Sequence, residues 1–251
     1  MEIKRRKFQG VLNILSFNRH FYVYGLAILF AISGSLWIIQ WPPYLYEITL
    51  IAFIYGLTMP LIISAYVYDF SGYYNFNWLE KMNLINKNKV NIVNINAGFD
   101  ETSFIIKSKY PNGDLKVYDF YDQKRHTEPA IIRARKVSLT YPNTQQIAAN
   151  KIPLETNTID LVFLLSAAHE IRSHQEKVVF LKECNRICKK DGKIIMVEHL
   201  RDFPNFLAFT IGVPHFFSKA AWKKAFLAAN IDRFNEIKFT PFMSIFTGEQ
   251  K

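Results

Sequence analysis

The chain has 251 residues, of which 50% are hydrophobic, and its formal net charge at pH 7 is +10. That length allows one globular domain with an appendage. A basic chain can bind nucleic acid or anionic lipid, but the sequence lacks a basic face with base-reading or stacking residues, so we predict no nucleic-acid partner. Its two cysteines, Cys184 and Cys188, have no second pair to complete a metal site. We predict reduced core cysteines and no bound metal.

Two long uncharged runs, residues 21–46 and 48–68, stand near the beginning of the chain. Each exceeds the roughly 20 apolar residues that cross a hydrocarbon core. Basic residues precede the first run, as in a secretory signal, but no small-residue cleavage site ends it and a second run follows Pro42-Pro43. The pattern therefore predicts a transmembrane hairpin over residues 21–68.

Basic residues flank this hairpin on both sides, whereas Glu47 is the only charge in its connecting loop. By the positive-inside rule, we predict an inner-membrane protein with two spans, both termini cytoplasmic and a cytoplasmic domain over residues 69–251. Residues 1–20 form a basic leader, which is either a short interfacial helix or a disordered segment. Tyrosines near the end of the second run suit the membrane interface: Tyr66, Tyr68, Tyr73 and Tyr74.

The stretch 90–103 is typical of a strand, a tight turn and the beginning of a helix. The β-branched run in residues 92–95 indicates a buried strand of a parallel sheet. Asn96 and Gly98 are residue types that tolerate positive φ, and Asp100 can accept backbone N–H groups where a helix begins. Such a turn brings the backbone close to a ligand, with free N–H groups pointing at it.

Strands and helices alternate from this turn onward. The predicted elements are a helix over 101–109, a strand over 115–118, a helix over 128–136, a strand over 158–165, a helix over 175–190, a strand over 193–198 and an antiparallel pair within 234–247. This order predicts an α/β fold: a Rossmann-like doubly wound, mostly parallel sheet with a closing antiparallel strand pair, preceded by two transmembrane helices.

Four segments of the domain, in order, resemble class I S-adenosylmethionine-dependent methyltransferases, particularly the quinone and sterol methyltransferase branch. The first is the turn, where the family has an acid and then three glycines; here Asn94, Asn96, Gly98 and Asp100 stand at those positions. The second is Asp119, which resembles the family's ribose-binding acid.

The third segment, residues 148–154, is similar to the part of the family that packs beside adenine, with Ala148 in place of an acid. The fourth joins residues 157–162, 169–171 and 183–194, which follow the family's F-D-x-V, H-H-I and E-x-x-R-V-L-K-P-G-G-x-L segments in order. The resemblance implies S-adenosyl-L-methionine as cofactor, with Asp100 or Glu101 replacing the missing first acid. The implied cofactor-binding residues are Asn94, Asn96, Ala97, Gly98, Asp100, Glu101, Asp119, Ala149 and Ser166.

Three ionisable side chains stand where strands end, which is the ligand side of an open α/β sheet. His169, Glu198 and His199 are our candidate catalytic residues, because a base there can remove a proton from the methyl acceptor. Each of them could instead make a structural hydrogen bond. His215 is a further candidate because it lies among aromatic residues.

The segment after the last parallel strand is rich in large apolar side chains, which either fill the core or line an acceptor pocket and rest on the bilayer. They are Phe203, Phe206, Leu207, Phe209, Phe216, Phe217, Trp222 and Phe226. With the hairpin, they favour a membrane-anchored methyltransferase whose acceptor is hydrophobic: a phenolic or aryl lipid, a pigment precursor or a quinone. The alternatives are phospholipid amine N-methylation and a non-catalytic membrane scaffold of the same fold. The pattern does not indicate an oligomeric state.

Overall fold

The computed structural model describes residues 5–82, 84, 89–125 and 128–249. Helix α1 (Gln9–Phe17) begins the described chain, and α2 (Arg19–Ile39) and α3 (Pro43–Ser64) form an antiparallel hairpin. The turn of the hairpin is set by Gln40, which adopts a left-handed conformation after α2. Pro43 then starts α3, a position where its missing N–H costs nothing.

Both hairpin helices are long and apolar enough to cross a membrane, a test that core helices and signal sequences also pass. None of the residues of α2, all of them described, is buried. The C-terminal end of α3 continues through a π-helical turn (Ala65–Phe70) and a 3-10 turn (Tyr73–Asn75) into α4 (Asn77–Lys81). The predicted boundaries at residues 20 and 69 stay predictions.

The leader contains a helix, α1, whose N-terminal end is fixed by the hairpin. The Asp69 carboxylate accepts hydrogen bonds from the backbone N–H groups of Gly10 (2.8 Å) and Val11 (3.4 Å). A carboxylate at this position satisfies N–H groups that have no partner within the helix and suits the helix dipole.

The remaining elements alternate as the sequence predicts. They are β1 (Asn91–Asn96), α5 (Ser103–Lys109), β2 (Asp114–Asp119), α6 (Pro129–Val137), β3 (Gln145–Gln146), β4 (Ile159–Leu165), α7 (His174–Ile187), β5 (Cys188–His199), α8 (Phe203–Phe209), α9 (Lys219–Ala228), β6 (Arg233–Lys238) and β7 (Met243–Glu249). Short 3-10 turns at Ala168–Glu170 and Thr210–His215 follow β4 and α8.

The described strands form one seven-stranded sheet in the order β3-β2-β1-β4-β5-β7-β6. The first five strands are parallel, and β7 runs antiparallel to both β5 and β6. The predicted fold class is therefore confirmed. Strand order reverses between β1 and β4, and ligands of open α/β sheets bind at the carboxyl ends of the strands beside such a point.

Each face of the sheet carries its own core. One face packs on α7 and α9, where Trp222, Phe226 and Cys184 are fully buried. The other face packs on α4, α5 and the base of the hairpin, so that Ile63 and Val67 share a core with β1, β4 and β5. The hairpin base is thus part of the domain's packing.

One predicted boundary is wrong. The helix predicted to run to Lys190 ends at Ile187, and the strand predicted to begin at Lys193 begins at Cys188. Cys188 is extended because it pairs with Ile159 at the beginning of β4, a contact that helix periodicity does not reveal.

Candidate active site

The carboxyl ends of β1, β4 and β5 open into one cavity of about 450 Å³. Its walls come from the turn after β1, the residues after β4 and β5, helix α1, the base of the hairpin and the segment after α8. We call the part lined by Ala97, Phe99, Glu101 and Thr102 the turn end. The part lined by His169, Glu170, His199 and His215 is the histidine end.

Polar side chains at the β1 turn bind the turn itself. Asn94 donates from Nδ2 to the hydroxyls of Thr102 (3.1 Å) and Ser103 (2.8 Å), which joins β1 to the beginning of α5. Asn96 Oδ1 accepts from the Gly98 N–H at 3.0 Å, while Gly98 has φ +90°. The asparagines that replace the usual acid and glycine therefore stabilise the turn.

Asp100 also serves the turn, because its Oδ1 accepts from the backbone N–H groups of Thr102 and Ser103, both at 2.9 Å. Its side chain is buried at the N-terminal end of α5, which is the position of a helix cap. This geometry gives Asp100 a structural part and leaves Glu101 as the carboxylate of the turn that lines the cavity.

Glu101 is held by the leader and the hairpin exit. Its carboxylate pairs with Arg5, accepts from Asn13 Nδ2 at 3.1 Å and accepts from the Tyr74 hydroxyl at 2.6 Å. The Arg5 guanidinium in turn lies 3.5 Å from the centre of the Tyr74 ring. Sequence reasoning assigned no role to Arg5 or Asn13, because residues this distant meet only when α1 folds over the turn.

Asp119 ends β2 beside Asn96, its partner in the β1–β2 ladder. Its carboxylate accepts from the Tyr121 N–H at 2.8 Å and pairs with Arg135 Nη1 at 2.5 Å. A Cβ added to Gly98 would lie 2.8 Å from the same Arg135 nitrogen. The guanidinium thus covers both the glycine and the predicted ribose-binding acid, and it would compete with a ribose for Asp119.

The two remaining predicted cofactor contacts lie apart from each other. Ser166 ends β4 at φ +51° and lines the cavity. Ala149 is partly buried against the core that contains α7, beside an isolated bridge between Ala148 and Lys151. The structure therefore brings Ala97, Glu101 and Ser166 to the cavity and places Ala149 in the segment next to it.

His169 and Glu198 form a buried pair at the histidine end. Nδ1 of His169 donates to Glu198 Oε2 at 2.7 Å, and the His169 backbone N–H donates to Oε1 at 3.2 Å. The other imidazole nitrogen, Nε2, lies 3.5 Å from Glu170 Oε1. Burial alone would lower the pKa of His169, but the charges and hydrogen bonds of Glu198 and Glu170 raise it to about 10. His169 is therefore an imidazolium at neutral pH.

His215, predicted as a further candidate, stands against His169 with ring centroids 5.0 Å apart. Its Nδ1 lies 3.3 Å from Glu128 Oε2. The hydrogen bond from His215 lowers the pKa of Glu128. Sequence reasoning missed Glu128 and Glu170, although Glu170 adjoins His169 in the chain, because neither occupies a family motif position with a known acid.

His199 differs from His169 in its charge state. Its Nδ1 donates to the Phe242 carbonyl at 2.8 Å, and its Nε2 accepts from the Tyr68 hydroxyl at 2.8 Å. Burial lowers the pKa of His199 to about 4, so the ring is neutral at neutral pH. Its Nε2 reaches the cavity through Tyr68, a residue that the sequence indicated only as an interfacial tyrosine.

The large apolar side chains after β5 fall into two groups: some fill the core, and others line the cavity or face solvent. Trp222 and Phe226 are fully buried core residues. Phe209 and Phe216 line the cavity, and Phe216 stacks on His199 at 5.0 Å. The members on α8 that face solvent are Phe203, Phe206 and Leu207.

Comparison with known proteins bears on the enzyme class and the fold. Residues 121–196 match the family model described as a methyltransferase domain. Among solved structures, the CMeT domain of citrinin polyketide synthase is similar, with a TM-score of 0.52, 12% identity, and coverage of 76% of this chain and 56% of that one. The domain match indicates a methyltransferase, and the structural similarity shows the fold. The predicted enzyme class and cofactor are thereby confirmed.

Two further structures are similar at lower scores. YcgJ of Bacillus subtilis has a TM-score of 0.48 at 14% identity, covering 70% of this chain and 99% of that one. Human N-acetylserotonin methyltransferase, in complex with S-adenosylmethionine, has a TM-score of 0.46 at 15% identity, covering 63% and 47%. No curated protein sequence matches this chain. The individual site residues stay predictions.

Proposed function

We propose that this methyltransferase is anchored in the cytoplasmic membrane by its hairpin and methylates a hydrophobic acceptor drawn from the bilayer. The observation that carries the proposal is the extent of the cavity. Its lining runs from His169 to residues at the base of the two apolar helices: Asn18, His20, Phe21, Tyr22 and Pro60. An acceptor leaving the membrane between α1 and the hairpin base would enter the site without crossing water.

The outer surface beside the hairpin supports the same orientation. The Tyr55 hydroxyl in α3 donates to the Leu207 carbonyl of α8 at 2.7 Å, so α8 lies against the hairpin. Phe203 and Ile211 nearby are 71% and 76% exposed. Exposed apolar groups that continue a candidate membrane span are best accommodated by lipid. The basic residues on either side of the hairpin favour a topology with both termini on the cytoplasmic side.

The histidine end suits an acceptor with an acidic hydroxyl. Methyl transfer breaks the sulfonium S–CH₃ bond and forms a bond to the acceptor, which must lose its proton if the acceptor is a hydroxyl. His169 is an imidazolium, and its Nε2–H can stabilise the acceptor oxygen as an anion. A phenol has a pKa of about 10, and the neighbouring imidazolium lowers it; because His169 is already protonated, the phenol proton passes to solvent. Phenolic or aryl lipids, pigment precursors and quinones of the quinol type fit this chemistry.

The test is transfer of a labelled methyl group from S-adenosylmethionine into a lipid extract of the host membrane, followed by mass analysis of the labelled species. We expect label in a lipid-soluble compound with an aromatic hydroxyl. Label in a phospholipid amine would replace the proposed acceptor class with the amine alternative. Label only in water-soluble compounds would contradict the proposal.

An inactive variant provides the control for that assay. Asp119→Ala removes the carboxylate predicted to hold the cofactor ribose, and we expect it to abolish labelling. A matched change at an exposed acid, Asp232→Ala in the turn before β6, should leave labelling intact. Equal labelling by both variants would show that the signal comes from a contaminating enzyme.

A further inference from the structure

We propose that His169, Glu170 and His215 bind a divalent first-row transition-metal ion at the histidine end. Each offers one ligand atom, and the three atoms lie within 4.8 Å of one another. All three residues line the cavity. Two imidazoles and one carboxylate are the ligand set of catalytic zinc sites and of mononuclear iron sites. The cysteine spacing predicted no metal site, and local sequence does not show that His215 lies beside His169.

The surroundings of the two imidazoles resemble those of metal ligands. Nδ1 of His169 donates to Glu198, and Nδ1 of His215 faces Glu128. A histidine that ligates a metal almost always donates its other ring nitrogen to a carboxylate or carbonyl, which fixes the ring and increases the basicity of the ligating nitrogen. Both rings are therefore held by Nδ1, and Nε2 is the ligating atom of each.

Carboxylates face both imidazoles of the cluster. Glu170 and Glu198 both face the His169 ring, at 3.5 Å and 2.7 Å, and Glu128 faces His215. Buried carboxylates need a compensating cation close by. A divalent ion between the two imidazoles would add positive charge beside Glu170 and Glu198, next to that of Arg172 and Lys177.

Three protein ligands leave at least one coordination position open toward the cavity. A metal-bound hydroxyl oxygen has a lowered pKa, so an acceptor hydroxyl there would lose its proton more easily. This part of the inference rests on the proposed function, but ion binding does not. Histidine binds metals in its neutral form, so a bound ion would replace the Nε2–H of His169 as the group that stabilises the acceptor oxygen.

Calorimetric titration of the full chain in detergent with Zn²⁺ alone tests the site. We expect one ion per chain. Glu170→Gln and His215→Ala should each weaken Zn²⁺ binding about 10-fold or more, since loss of ligands or their supports commonly has effects of that size or larger. His174→Ala, at an exposed histidine that begins α7, is the matched control and should bind as the parent chain does.

The visible spectrum of bound Co²⁺ gives a second readout that does not depend on activity. An intense band is expected for the parent chain and for His174→Ala, and its loss for His215→Ala. Circular dichroism of each variant confirms folding, and Glu170→Gln, which preserves the shape of the side chain, decides the matter if His215→Ala does not fold.

The two proposals fail separately. Absence of Zn²⁺ and Co²⁺ binding by the parent chain, or equal binding by Glu170→Gln, would overturn the metal site whether or not methyl transfer is observed. Stoichiometric binding lost in both ligand variants supports the site even if no lipid-soluble acceptor is found.

Discussion

Asn96 and Asp100 in the turn after β1 bind their own backbone, whereas His169 and Glu198 at the histidine end bind each other across strands. Asn96 and Asp100 accept N–H groups two or three residues away along the chain. His169 reaches Glu198, 29 residues distant, because β4 and β5 are neighbours in the sheet. The turn after β1 is thus stabilised by local contacts, with Glu101 as the exception, and the histidine end forms only in the folded domain.

The two ends of the cavity also differ in how far their side chains are positioned for catalysis. The acceptor-side groups are already assembled, with His169 oriented by Glu198 and His199 held by Tyr68 and Phe242. The cofactor side still has a competing cation, Arg135, on the predicted ribose-binding carboxylate. We therefore expect mutations at the histidine end to affect stability most, and mutations at the turn end to affect cofactor affinity.

The largest expected effect is that of Glu198→Ala. Removing this carboxylate leaves the His169 cation buried without its main partner, and breaking a buried ion pair in this way costs about 3–5 kcal/mol. Denaturant unfolding in detergent at pH 7 measures it. Double substitution with His169→Gln should restore part of the loss, because the uncompensated charge is gone; equal losses in single and double variants would contradict the pairing.

The two buried histidines should give opposite pH dependences of the free energy of unfolding. The pKa of His169 rises on folding from about 6.5 to about 10, so its contribution is complete below pH 6.5 and is lost as the pH rises through 10. The pKa of His199 falls to about 4, so its contribution is present above pH 6.5 and is lost as the pH falls through 4.

Comparing the parent chain with His169→Gln and His199→Gln isolates these contributions. The difference between the parent and His169→Gln should shrink toward alkaline pH, and that between the parent and His199→Gln should shrink toward acid pH. Proton NMR of the imidazole signals provides the two pKa values directly. Parallel slopes for the two variants would show that the rings share one charge state.

The same contrast separates the features that the sequence predicts from those that it does not. The strand-turn-helix pattern around Gly98 and the alternation that follows it predict the sheet, because they depend on local propensity and apolar periodicity. His169 and Glu198 are predictable one by one from their position at strand ends. Their pairing, and the opposite charge state of His199, depend on which side chains tertiary packing brings together.

The contacts of the leader, residues 1–20, are the clearest example of contacts that local sequence does not predict. Residues 1–20 allowed either a helix or a disordered segment, and nothing local connects Arg5 with Glu101 or the α1 backbone with Asp69. The structure makes both contacts because α1 lies across the turn end. Likewise, Tyr68 suits a membrane interface by composition, yet its hydroxyl binds a histidine of the catalytic domain.

At the turn end, Gly98→Ala should have an intermediate effect. Alanine at φ +90° is strained, and its Cβ would lie 2.8 Å from Arg135 and 3.0 Å from the Tyr121 side chain. Backbone strain of this kind costs about 1–3 kcal/mol. We expect lower thermal stability together with weaker S-adenosylmethionine binding by calorimetry. Gly212→Ala, with its nearest side-chain atom at 3.8 Å, is the control and should change neither.

The smallest effect expected is that of Arg135→Ala, which should raise the affinity for S-adenosylmethionine, whereas Gly98→Ala should lower it. Arg135 is 40% exposed, and its pair with Asp119 is worth at most about 1 kcal/mol after solvent screening. If the cofactor ribose binds Asp119, removing the guanidinium ends a competition and should tighten S-adenosylmethionine binding by up to about 5-fold. The exposed neighbour Lys136→Ala removes the same charge without the contact and should leave the affinity unchanged. Weaker binding by Arg135→Ala alone would mean that the guanidinium contacts the cofactor. Arg135 would then be a binding residue, and the turn end would be as fully assembled as the histidine end.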